Sequence, residues 1–194
     1  MIHKFLLGIA FVAVLLGVAG AADAKSLVII FSRADENYNV GYVQEGNTMV
    51  LAKMIAEKTG SDLFEIRTVK PYPKDYDTAI DIAKKEQNAH ARPAIAEDKN
   101  IDEYDTIFFG YPIWWGDLPM ACYTFLEAHD FTGKKIALFC THEGSGLSNT
   151  DSKLRRAAPG AEILRGLVVR GSVAQNSRAE AEKSVNSWLA KLGY

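Results

Sequence analysis

Three short stretches of this sequence hold residue types that could bind a ligand or do chemistry. The first opens at Ser32-Arg33 and closes at Gly46-Asn47-Thr48, directly before a segment with helical spacing. Small hydroxyl and amide side chains at a helix start lie beside unpaired backbone N–H groups. The helix dipole adds partial positive charge there, and the combination suits a phosphate. The same residues would also serve as a plain helix cap, since Asn and Thr are good capping residues. The second stretch is Tyr111-Pro112-Ile113-Trp114-Trp115-Gly116-Asp117-Leu118-Pro119. Adjacent residues on a regular element cannot both face one core. One tryptophan is therefore a candidate wall for a flat aromatic ligand, the alternative being packing over a sheet edge. The third stretch is Thr141-His142-Glu143-Gly144-Ser145-Gly146-Leu147. Its glycines would let backbone amides approach a ligand, or would simply make a flexible connection. His142 and Glu143 could do acid–base work, but no nucleophile or third triad member accompanies them, so a hydrolase gains little support. Neither G-x-G-x-x-G nor G-x-x-x-x-G-K-[ST] occurs, which argues against dinucleotide and P-loop nucleotide sites.

The elements around these stretches alternate. Leu27 to Phe31 is a short, wholly apolar, β-branched run, the mark of a strand covered on both faces. Thr48 to Thr59 repeats apolar residues at helical spacing and stops at Gly60, a suitable C-cap. Further strands are expected at Asp62 to Ile66, Thr106 to Gly110, Ile136 to Cys140 and Ile163 to Val169. Helices are expected at Tyr76 to Asn88, Met120 to Ala128, Asp151 to Ala157 and Arg178 to Leu192. Such alternation implies an α/β domain, a doubly wound, mostly parallel sheet with helices on both faces. In that architecture ligands bind beyond the carboxyl ends of the strands, where strand order reverses. All three stretches fall at that edge, and their joint position is the argument for a site.

Composition sets the bounds. The chain has 194 residues with 48% hydrophobic and 24% charged, as one globular domain would. A formal net charge of −2 offers no basic surface for nucleic acid. Lys4 precedes an apolar run from Phe5 to Ala19, followed by Ala22-Asp23-Ala24. That is the layout of a secretory signal, so residues 1–24 are expected to be removed and residues 25–194 to form the domain. The location would then be periplasmic or secreted. An uncleaved N-terminal membrane anchor is the alternative, and would be the protein's one link to a membrane. Cys122 and Cys140 are the two cysteines, each in an apolar stretch; two buried thiols are expected, a single bridge being the alternative. Four scattered histidines give no metal-ligand spacing.

Taken together, Phe31-Ser32-Arg33, Gly46-Asn47-Thr48, Pro112 to Gly116 and Cys140 to Gly146 make the sequence resemble the flavodoxin family over essentially everything after the signal. The resemblance implies a five-stranded parallel sheet in order 2-1-3-4-5 with FMN at its carboxyl edge. It implies that Ser32, Arg33, Asn47 and Thr48 hold the FMN phosphate. Pro112, Ile113, Trp114, Trp115 and Gly116 would line one side of the isoalloxazine ring. Thr141, His142, Glu143, Gly144, Ser145 and Gly146 would line its pyrimidine edge. The phosphate loop departs from the family's compact turn, because Ala34 to Glu45 interrupts it. Three functions stay open: an FMN electron carrier that passes electrons to a redox partner protein or a small-molecule acceptor; an FMN-dependent NAD(P)H:quinone-type oxidoreductase; and a flavin-free binding module.

Overall fold

A computed structural model describes residues 25–194. The expected export signal, residues 1–24, lies outside the described residues. The central parallel sheet has the order β4-β1-β5-β6-β7, with β8 also paired to β6. These strands are β1 (Ser26–Ile30), β4 (Asp62–Glu65), β5 (Thr106–Pro112), β6 (Lys135–His142), β7 (Glu162–Ile163) and β8 (Leu167–Arg170). The order is the expected 2-1-3-4-5, with β7 and β8 sharing the fifth position.

Alternation along each strand divides the core in two. Leu27, Ile29 and Phe31 join Ile107, Phe109, Tyr111, Leu138 and Cys140 on one face, with Phe125 and Leu154 against them. These last two come from α3 (Met120–Ala128) and α4 (Thr150–Ala157). Val28, Ile30, Phe108, Ala137 and Phe139 turn the other way, under Leu51, Ile55, Val185 and Trp188. Those come from α1 (Asn47–Thr59) and α6 (Arg178–Leu192). A strand buried on both faces needs apolar residues at every position, which is why the first strand reads as an unbroken run. Both Cys122 and Cys140 are buried, free thiols. Burial pushes the Cys140 thiol up to about 12, so it stays protonated.

Three features depart from the expected outline. The fifth strand breaks between Ile163 and Leu167, where the Arg165 carbonyl accepts the Trp188 indole N–H at 2.7 Å instead of a strand neighbour. The interrupting segment after β1 folds into a hairpin, β2 (Asp35–Asn37) and β3 (Gly41–Val43), paired antiparallel. A short helix, α5 (Gly171–Asn176), follows β8. The remaining helix, α2 (Tyr76–Asn88), lies in the long connection between β4 and β5 and is capped by Asp75, whose carboxylate accepts the Thr78 amide at 2.8 Å.

Candidate functional site

An open cleft lies at the carboxyl edge, beyond β1, β5 and β6. Of the expected site residues, Asn47, Pro112, Ile113, Trp114, Trp115, Thr141, His142 and Glu143 line it. Ser32, Arg33, Thr48, Gly116, Gly144, Ser145 and Gly146 stand behind or beside these. Asn37, Tyr38, Tyr76 and Ile80 complete the lining and were not singled out from the sequence as site residues.

One end of the cleft is the start of α1. Its N-cap is Gly46, which offers no side chain. Ser32 supplies the cap instead, its hydroxyl accepting the Met49 amide at 3.1 Å. A Cβ on Gly46 would sit 2.3 Å from the Ser32 oxygen and 2.5 Å from the Arg33 carbonyl, so only glycine permits this approach. The amides of Asn47 and Thr48 have no protein partner among the described residues. The Asn47 side-chain carbonyl is buried and likewise unpartnered. The Thr48 hydroxyl is buried and shares a 2.8 Å hydrogen bond with the Thr141 hydroxyl. Arg33 points elsewhere. Its guanidinium donates to the carbonyls of Pro73 and Lys74, each at 2.7 Å, and to that of Glu36, tying the hairpin to the chain leading into α2. Nearby Glu45 is paired with Lys53 and Arg178.

The flanks are aromatic. Trp114 and Asp117 exchange backbone hydrogen bonds of 2.9 and 3.0 Å around a tight turn. Trp115 holds φ 52 in that turn, an uncommon conformation for a bulky residue and of the kind that clusters at functional sites. The turn separates the two indoles. Trp114 tucks under the cleft, edge-on to Phe31 at 5.3 Å and to Tyr72 at 5.0 Å. Trp115 is 49% exposed and lies over α2, its indole N–H donating to the Ile80 carbonyl at 2.9 Å. Asp117 fastens the turn from behind, accepting the Tyr123 hydroxyl at 2.8 Å and pairing with Lys153 at 2.8 Å. Tyr38, at the hairpin tip, also lines the cleft and stacks on Tyr76 of α2 with ring centres 6.0 Å apart; Tyr38 is 56% exposed.

The third stretch is more ordered than a flexible connection. The Glu143 carboxylate accepts the Ser172 amide at 2.5 Å and the Ser172 hydroxyl at 3.1 Å, capping α5, and reaches Asn39 of the hairpin turn at 3.4 Å. The amides of Gly144 and Gly146 donate to Nδ1 of His142 at 2.9 and 3.0 Å. Burial first, and the Arg170 charge second, hold the His142 imidazole below its ordinary value, against Glu143, which raises it. The ring is neutral at neutral pH. Among the described residues no group of three or more His, Cys, Asp and Glu side chains is placed to hold a metal ion.

The flavodoxin family model matches residues 38–189. The chain belongs to the flavodoxin family. A flavodoxin of Haemophilus influenzae is 31% identical over 102 residues, covering 48% of this chain and 42% of that protein. The chain thus matches under half the length of that relative. A solved structure of a candidate flavoprotein from Bacteroides eggerthii is 29% identical with a TM-score of 0.70, covering 89% of this chain and 99% of that one. A flavoprotein of Lactobacillus acidophilus in complex with FMN shares the fold at 21% identity and a TM-score of 0.58, covering 82% of this chain and 99% of that one.

Proposed function

We propose that the cleft binds one FMN and that the protein serves as an electron carrier outside the cytoplasm. The observation that carries this reading is a cleft in which Asn47, at the start of α1 where two backbone amides lack a protein partner among the described residues, shares the lining with four aromatic side chains. Each part of FMN finds a matching chemistry in it. The Asn47 and Thr48 amides, with the α1 dipole, suit the phosphate. The orphaned Asn47 carbonyl can accept from a ribityl hydroxyl. Tyr38, Tyr76, Trp114 and Trp115, which all line the cleft, suit a flat ring system. Glu45, the carboxylate just before α1, is already neutralised by Lys53 and Arg178 and would repel a phosphate little. FMN binding by the Lactobacillus acidophilus relative supports the same choice of cofactor.

Bound FMN supplies reversible one- and two-electron chemistry at its ring. The protein's part is to hold the phosphate, exclude water from the ring's buried face and leave one edge open to a partner. His142 and Glu143 are engaged in shaping their loop, so neither is assigned as a catalytic acid or base.

Loaded protein, mixed with NADPH or NADH and a quinone, tests the carrier reading. The expected result is slow nicotinamide oxidation, with fast electron exchange only once a separate reductase is added. Turnover by the protein alone would replace the carrier with a nicotinamide-dependent quinone reductase.

A further inference from the structure

We propose that His142 is a positioning residue for the cofactor-edge loop. Its neutral ring gathers the amides of Gly144 and Gly146 onto Nδ1 and thereby fixes Nε2–H as a donor for an acceptor on the bound ligand. The tautomer follows from the donors. A backbone N–H can only donate, so the nitrogen that two of them approach must be the lone-pair nitrogen. The ring proton is therefore on Nε2. That atom has no protein partner among the described residues, and the ring lines the cleft. The positive φ values of Gly144 and Gly146, 130 and 62, turn their amides inward to reach the ring. The Gly144 and Gly146 amides are thus spent on His142, and the imidazole itself becomes a ligand-facing donor.

This arrangement cannot survive protonation. A proton added at Nδ1 replaces the lone pair with a donor facing two other donors, and the loop must release. The charged groups that bear on the ring are Arg170, opposite it on β8, and Glu143, beside it in the loop. Arg170 disfavours the imidazolium and Glu143 favours it. Burial adds to Arg170, so the folded ring titrates below its unfolded value of about 6.5. The sign follows: the loop contacts are complete above about pH 6.5 and are lost as pH falls through the lower folded value.

The loop part of the proposal needs no flavin, so it is tested on the protein without it, while the ligand part rests on the FMN reading. Nitrogen NMR of apoprotein should show His142 with a bare Nδ1 near neutral pH. The Gly144 and Gly146 amide signals should move together with the His142 titration. FMN affinity should then fall in the same window, by at most about tenfold per pH unit, the one-proton limit. Because the FMN phosphate also titrates near pH 6, the comparison is with H142N, whose carbonyl can accept the two amides but cannot take up a proton. H142N is expected to keep both amide signals in place across the range. The ratio of wild-type to H142N affinity should rise with pH and level off above neutrality. A proton on Nδ1 at neutral pH, amide signals indifferent to the His142 titration, or a ratio independent of pH would each overturn the proposal. Absence of FMN binding with the amide titration intact would instead refute the cofactor reading.

Discussion

At the residue scale, buried hydroxyls and close approaches decide the site's geometry. Thr48 stands where a phosphate-binding residue is expected, yet its hydroxyl is paired with Thr141, 93 residues away in sequence. That leaves the Thr48 amide as the donor at hand. The motif was legible; a side-chain partner across the sheet was not, because residue type at a helix start says nothing about what packs over it. Thr48→Val would leave the Thr141 hydroxyl, 2% exposed, without its partner. The expected cost is about 1–3 kcal/mol in urea unfolding. The double variant Thr48→Val with Thr141→Val should recover most of that loss, since both polar groups then disappear together. Equal, additive losses would mean that the pair is not coupled. Gly46→Ala forces a methyl against Ser32 and the Arg33 carbonyl. It should lower stability by about 1–3 kcal/mol and weaken FMN binding together. Full retention of both would show that the loop can yield.

At the element scale, pattern length governed what could be read. The first strand, the helices and the ligand-edge loops announced themselves through long apolar runs, helical spacing or dense Gly, Pro and Trp. The hairpin did not: its strands are three residues each and mostly polar, and it is held by contacts distant in sequence. The Glu36 amide donates to the Lys74 carbonyl at 3.2 Å, and the Tyr76 amide donates to Glu36 at 3.1 Å. Sequence marked Ala34 to Glu45 only as an interruption, while the structure makes it one wall of the cleft. The fifth strand's break was likewise hidden, since it depends on where the Trp188 indole lands. Tyr38 is exposed at the hairpin tip and, among the rings of the described residues, stacks only on Tyr76, so Tyr38→Ala should cost no more than about 1 kcal/mol of unfolding stability. FMN should then dissociate roughly three- to tenfold more readily, the worth of one aromatic contact. Unchanged affinity would remove the hairpin from the site. Trp115→Asn tests the strained turn. Asn accepts positive φ more readily, so the fold should lose no more than about 1 kcal/mol while FMN binding weakens clearly. A large loss of stability with normal affinity would make Trp115 a structural anchor instead.

At the scale of the whole molecule, the doubly wound sheet brings three stretches separated by scores of residues to one edge. That convergence was readable because strand order in such sheets constrains where loops meet. What connects the loops was not readable: Glu143 ties the third stretch to both α5 and the hairpin. Export belongs to this scale too. We propose cleavage after Ala24, so exported protein should have an intact mass beginning at Lys25. A full-length mass in the membrane fraction would support an anchor instead. The central claim is one cleft holding both a phosphate and a flat ring. Paired titration of the apoprotein with FMN and with riboflavin, followed by tryptophan fluorescence and visible absorption, tests it most directly. The account predicts that both ligands quench the fluorescence, that FMN binds one per chain, and that FMN binds at least about tenfold more tightly, as a charged hydrogen bond worth about 1.5–3 kcal/mol requires. A protein that takes up neither ligand, or that binds both equally well, would contradict it.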